Sequence, residues 1–258
     1  MAGLTMLPVL MYHGLHRDAH SHGRFDPVYS VRPDDFARQL DWLQANGYRS
    51  MHLDDVALDT AADSQTLLIS FDDGDASNIE VALPLLRARG MSAEFFITSD
   101  FIDRPGMLTS TDVRALADAG MGIGAHGCSH AFLEDLEPAA LTAELRDSRH
   151  RLRVLTGGAV NALALPGGRG GERELHAAQA LGYRYLFGSV PGPNHRPRRD
   201  AWLQRLAVTR DTTLPEFAAL VRWRGLRPRL LRARFAALAL PKRVLGNTGY
   251  ARLRERLL

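Results

Sequence analysis

The chain has 258 residues, 45% of them apolar and 24% charged, with a formal net charge of +3 and a single cysteine. This composition excludes disorder, collagen-like repeats and a coiled coil, one cysteine excludes an intrachain disulfide framework, and no apolar run approaches the roughly eighteen residues of a membrane span. The charge is uneven: residues 222–258 hold eleven Arg or Lys against one Glu, a surplus of +10, which leaves −7 on the other 221 residues. Such a basic end suits an anionic partner, and equally a terminal helix pair with a solvated basic face.

Short apolar runs alternate with helical patterns along the chain. Leu7 to Tyr12 reads as a buried strand. Asp34 to Ala45 reads as a helix with Phe36, Leu40 and Leu43 on one face, Pro33 near its start and Asn46-Gly47 at its end. Strands are predicted at 67–71, 93–98, 121–125, 162–165, 184–187 and 202–209, and helices at 78–89, 110–119, 138–155, 172–181 and 214–224. About seven strand–helix units fit a parallel (β/α)7-type α/β barrel better than an open sheet. No Gly-rich nucleotide loop follows the first strand, which argues against dinucleotide binding. The expected organisation is one domain over 1–224 and an appended basic helical tail over 225–258.

In a parallel barrel, functional groups gather where strands end. Four predicted strands end in polar or glycine-rich sequence: Leu7–Tyr12 in His13, Leu67–Phe71 in Asp72-Asp73-Gly74, Met121–Ala125 in His126-Gly-Cys-Ser-His130, and Ala162–Leu165 in Pro166-Gly-Gly-Arg169. Two adjacent carboxylates repel and call for a cation or a shared proton, although an Asp-Gly surface turn would read the same way. Histidines four apart on a helical turn can face one ion, or can simply be solvated. Together with Asp73 they form a His-His-carboxylate set with open positions, the donor arrangement of hydrolytic metal sites, where the pKa of bound water falls towards about 7. Asp72 would then be available as a general base.

Phe71-Asp72-Asp73-Gly74 followed by His126-x3-His130 resembles the polysaccharide deacetylase (NodB homology, carbohydrate esterase family 4) enzymes over residues 5–210. The resemblance implies a distorted parallel barrel and metal-dependent removal of acetyl groups from N-acetylated sugars. It implies Asp72 as base and Asp73, His126 and His130 as ligands of one divalent metal. Zinc is the default for such a set, with nickel, cobalt and iron also accommodated. Two family elements are altered. The usual Arg-x-Pro-Tyr-Gly stretch appears as Ala164-Leu165-Pro166-Gly167-Gly168, so Gly167 is left to offer its backbone N–H to an oxyanion. Arg169 either replaces the lost arginine beside Asp72 or is exposed. The Leu-x-x-His stretch, absent after residue 200, appears instead as Leu10-Met11-Tyr12-His13, as in the circularly permuted exopolysaccharide-deacetylase branch. His13 is thereby the expected general acid, a core strand-end role being the alternative and His195 the substitute donor. Cys128 reads as a thiolate ligand or a small packed residue. His16, His20 and His22 form a further cluster, open to solvent, to substrate or to a second metal.

The first residues read as a strand and not as a signal peptide. The expectation is therefore a cytoplasmic enzyme, at the inner face of the membrane if the basic tail docks there, and without a nucleic-acid partner. Its substrate would be a glycan or a nucleotide- or lipid-linked sugar in surface polysaccharide or O-antigen assembly. A related hydrolase of small amides or cyclic imides and a non-catalytic glycan-binding module are the alternatives.

Overall fold

A computed structural model describes residues 6–58, 65–192, 194, 201–226, 228–233, 235 and 237. Nine strands and seven α-helices alternate along them: β1 (Val9–Tyr12), α1 (Pro33–Ala45), β2 (Arg49–Ser50), α2 (Leu53–Leu58), β3 (Thr66–Phe71), α3 (Leu83–Arg87), β4 (Glu94–Ile97), α4 (Ser110–Asp118), β5 (Gly122–Ala125), α5 (Pro138–Thr156), β6 (Ala162–Ala164), α6 (Glu172–Ala180), β7 (Tyr185–Phe187), β8 (Ala201–Leu203), β9 (Leu206–Ala207) and α7 (Leu214–Val221). A π-helical turn at Asn78–Ala82 precedes α3, so the helix expected at 78–89 is built from two pieces.

All strand pairs are parallel, in the order β8-β7-β6-β5-β4-β3-β1-β9, with β2 flanking β3. The two outer strands of that order, β8 and β9, are separated in the chain by Gln204 and Arg205 alone. The strand expected over 202–209 is thus bent in the middle: its first half pairs with β7 and its second half with β1. That bend curls the sheet back on itself and produces the expected barrel-like α/β fold.

Strand side chains alternate between two faces, and the core divides accordingly. Leu10, Tyr12, Leu67, Ile69 and Phe71 point outward to Phe36, Leu40 and Leu43 of α1 and to the other helices. Val9, Leu68, Phe96, Ala162, Ala164, Phe187 and Leu203 form a second cluster inside the barrel. Continuing that inward register past Leu68 and Ser70 gives Asp72, and continuing it past Leu203 gives Arg205. The barrel floor is aromatic, with Phe96 and Phe187 at a centroid distance of 4.8 Å. Polar groups placed above it are shielded from water.

Candidate metal centre and active site

Asp72 and Asp73 leave β3 in different directions because the chain turns sharply between them. The Gly74 amide donates to the Asp72 carbonyl at 3.0 Å across Asp73, whose φ is 73°. A non-glycine residue in this region is strained by about 1–3 kcal/mol, so neighbouring structure must hold it there. The Thr98 amide does so by donating to the Asp73 carbonyl at 3.2 Å.

Asp73 faces both histidines. Its Oδ1 is 3.4 Å from His126 Nε2 and 3.2 Å from His130 Nε2, and the three potential ligand atoms lie within 4.8 Å of one another. The two histidines lie on a loop, not on the helical turn expected from their spacing, with Gly127 at φ 75° and His130 at φ 67°. Glu144 of α5 clamps this loop, accepting from the Ser129 amide at 2.6 Å and the Ser129 hydroxyl at 3.0 Å. The Ser99 and Asp100 amides tie it to the loop after β4 through the Gly127 and Cys128 carbonyls, at 3.1 and 2.9 Å. His126 Nδ1 lies 2.8 Å from the Ala164 carbonyl, an acceptor alone. That contact places a proton on Nδ1, so that in the neutral ring Nε2 keeps its lone pair toward Asp73.

These residues fit a metal ion. Asp73 Oδ1 is buried and has no hydrogen-bond partner, although charged carboxylate oxygens seldom go unpaired. A tetrahedral ion with bonds of about 2.0–2.1 Å would hold its donors about 3.3 Å apart, which the two Asp73–His distances match. Burial pushes the Asp73 carboxyl up, but with the facing rings protonated His126 and His130 overrule it and hold it well below the usual range.

Asp72 is bound to an arginine, though not to the one singled out in the sequence. Arg205 grips it in bidentate fashion, Nη1 to Oδ1 at 2.6 Å and Nη2 to Oδ2 at 2.8 Å, while Nε donates to the Gly188 carbonyl at 2.9 Å. Both side chains are buried, Asp72 at 2% and Arg205 at 1% exposure. Burial pushes Asp72 up; Arg205, His126 and His13 more than offset this and keep its pKa below the ordinary value. Arg169 does not reach Asp72: its guanidinium stacks on Phe132 at 4.1 Å and pairs with Glu134 at 3.6 Å.

His13 stands on the same rim at the end of β1. Its ring packs on Tyr29 at 4.5 Å, and its Nδ1 is buried without a hydrogen-bond partner. Burial lowers its pKa, and the opposing pull of Asp72 and Asp73 does not restore it. Gly167 lies in a tight turn at φ 63°, where a Cβ would come within 2.6 Å of the Phe132 ring. Phe132 therefore covers this turn, a packing that needs glycine beneath it.

Other expectations resolve differently. Cys128 donates to the Glu144 carbonyl at 3.3 Å, and burial raises its pKa, so it is a packed thiol and not a ligand. His16, His20 and His22 do not converge. His16 is wholly buried against Asp75 and Ser30, His22 meets Glu80 at 2.8 Å on the surface, and His20 is exposed. His195 and most of the tail expected over 225–258 lie outside the described residues.

A parallel α/β barrel whose C-terminal rim joins an Asp-His-His cradle to an arginine-held carboxylate defines a hydrolase-type centre. The chain belongs to the polysaccharide deacetylase family, whose model matches residues 59–186. Among its relatives is YxkH of Bacillus subtilis (strain 168), named by inference as a polysaccharide deacetylase, which is 28% identical over 219 residues, 83% of this chain and 76% of YxkH. In fold it is similar to the Streptococcus pyogenes deacetylase PplD solved with acetate (TM-score 0.75, 22% identity, 84% of this chain and 98% of that one). It is likewise similar to IcaB from Ammonifex degensii (TM-score 0.72, 23% identity, 84% and 97%).

Proposed function

We propose that this protein is a metal-dependent N-deacetylase that hydrolyses the acetamide of an N-acetylated sugar in surface polysaccharide assembly. The observation that carries the reading is the division of labour between two adjacent carboxylates, Asp73 turned to two imidazoles and Asp72 to a buried guanidinium. The family and the YxkH resemblance support the reaction class.

Asp73, His126 and His130 would hold one divalent ion, zinc by the chemistry of the donors, and that ion supplies Lewis acidity towards water and an amide carbonyl. The chain's own groups do the rest. Asp72, kept ionised and fixed in orientation by Arg205, takes a proton from the attacking water, whose oxygen forms a bond to the acetyl carbon. The Gly167 N–H donates to the oxyanion that develops on the carbonyl oxygen. As the C–N bond breaks, His13 gives its proton to the departing nitrogen, releasing amine and acetate. The lowered pKa of His13 makes its protonated ring a strong donor, while keeping that form scarce at neutral pH.

The test is acetate release from chitooligosaccharides, UDP-N-acetylhexosamines and lipid-linked N-acetyl sugars by wild type and Asp72→Asn. Release lost in Asp72→Asn supports the assignment. Turnover of small cyclic imides without any acetate release would replace it with the imide-hydrolase reading.

We further propose that the basic stretch 222–258 holds the enzyme at an anionic membrane face. Leu226, Leu230 and Phe235 are exposed there beside Arg229 and Arg232. Among the described residues no helix is long and apolar enough to cross a membrane. Flotation with anionic liposomes should be lost when residues 226–258 are removed; equal flotation by both forms refutes the idea.

A further inference from the structure

On one side of the rim two guanidinium groups stand without an ion pair among the described residues. Phe101, on the loop after β4, stacks on the imidazole of His130 at a centroid distance of 6.0 Å and an interplanar angle of 26°. Two guanidinium groups from separate loops converge on the same ring: Arg24 lies 5.4 Å and Arg104 5.3 Å from its centre. Both side chains are exposed, and among the described residues neither forms an ion pair. The acidic groups on the neighbouring loops pair with groups other than these two guanidinium groups. Asp75 accepts from the Ser77 amide at 2.8 Å and faces His16 at 3.2 Å, Asp103 accepts from the Ser110 amide at 2.8 Å and hydroxyl at 2.6 Å, and Asp100 meets Arg151 at 3.7 Å.

The convergence is fixed by the backbone. The Arg24 amide donates to Asp75 Oδ2. Gly106, at φ 76°, lets the loop of Arg104 press on the loop of Arg24, since a Cβ there would meet the Gly23 carbonyl carbon at 3.1 Å. The Gly106 carbonyl in turn accepts from the Ala76 amide at 3.0 Å, and Asp75 and Met107 form an antiparallel bridge. Three loops are thus knitted together, with both arginines packed against the Phe101 ring. A guanidinium set over an aromatic ring uses its π surface and keeps its in-plane N–H donors free for an oxyanion. Each guanidinium packed on the ring would gain from a bound anion, which would offset its charge. Across the centre, by contrast, Arg169 already has Glu134 at 3.6 Å.

We propose that Arg24 and Arg104 form an anion subsite of this centre, one aromatic ring away from His130. The substrate is then an N-acetylated sugar with a phosphate ester or a carboxylate beside the reacting acetamide or on the adjoining sugar. This inference rests on the deacetylase reading and narrows its substrate class.

The test compares acetate release by the zinc-loaded full chain from N,N′-diacetylchitobiose, N-acetylglucosamine 1-phosphate, UDP-N-acetylglucosamine and a disaccharide of N-acetylglucosamine and glucuronate, in wild type and R24Q/R104Q. Charge-assisted hydrogen bonds of the usual strength give the anionic class an advantage of at least about tenfold in kcat/KM over the neutral sugar. That advantage resides in KM, shrinks as salt is raised, and disappears in R24Q/R104Q; the substrate that shows it identifies phosphate or carboxylate as the anion. Equal kcat/KM for neutral and anionic sugars, or a preference that survives in R24Q/R104Q, overturns the subsite. Should no sugar be turned over, the deacetylase reading fails separately, and calorimetric titration with N-acetylglucosamine 1-phosphate decides the subsite. Weaker binding by R24Q/R104Q than by wild type upholds it, and equal or absent binding overturns it.

Discussion

Arg205 is the residue on which the account is most exposed, because its guanidinium is buried and both terminal nitrogens are committed to Asp72. Replacing it by methionine keeps most of the volume and removes the charge. Asp72 would then be a buried carboxylate with no cation, and the Gly188 carbonyl would lose its donor. Breaking a buried pair from one side costs about 3–5 kcal/mol. For a domain of this size that corresponds to a fall in Tm of roughly 6–20 °C. The folded-state pKa of Asp72 lies below its ordinary value, so the pair stabilises above the usual carboxylate range and loses its contribution as the pH falls through the folded value. The gap in Tm between wild type and Arg205→Met, followed by circular dichroism, should therefore narrow from pH 7 to pH 3. Arg205→Lys, which keeps a charge but not the planar fork, should recover part of the stability while kcat stays at least about tenfold down, since a carboxylate held by one contact is free to rotate. A melting temperature for Arg205→Met within a degree of wild type, with activity retained, would refute the role given to this pair.

Three further outcomes follow from local geometry. Gly167→Ala should cost about 1–3 kcal/mol by denaturant unfolding, because a Cβ at φ 63° meets the Phe132 ring, and Phe132→Ala in the same chain should recover the steric part; no loss in the single variant would contradict the packing described. Glu144→Gln should weaken zinc affinity by about 10–100-fold in a chelator competition, since Glu144 positions the loop between the two histidines, and unchanged affinity would dismiss the clamp. Glu174 is pushed up by burial but held below its ordinary value by the Gly171 amide and Arg173, so its contribution is present at neutral pH and lost in acid. Glu174→Gln should accordingly lower Tm at pH 7 and much less at pH 3; an equal loss at both would show that charge is not the cause.

Much of this centre could be read from the sequence because its parts abut strand ends. Asp72-Asp73, His126 and His130 each follow an apolar run directly, and a parallel barrel brings such ends to one rim. The place of His13 at the end of β1 was legible for the same reason. Arg205 was not, for two physical reasons. It is 133 residues from Asp72, and it belongs to an arginine-rich region where one more cation attracts no notice. A faint signal existed: in Trp202-Leu-Gln-Arg-Leu-Ala-Val208 it is the one charged residue in an otherwise strand-like run, in register with Leu203. Its meaning depends on the bend between β8 and β9, which no local pattern encodes. The i, i+4 spacing points to a helical turn, and it cannot show that Gly127 and His130 take positive φ. Cross-loop bonds from Glu144, Ser99 and Asp100 impose that shape.

The central claim is that one ion in the Asp73–His126–His130 cradle and the Asp72 carboxylate work together on an acetamide. It is tested most directly by titrating chelator-treated protein with zinc while measuring zinc uptake and acetate release in the same samples. Release should rise with occupancy and level off at one equivalent, and Asp72→Asn should take up the same equivalent without releasing acetate. Acetate release that is independent of added metal, or protein that takes up no zinc at all, would contradict it.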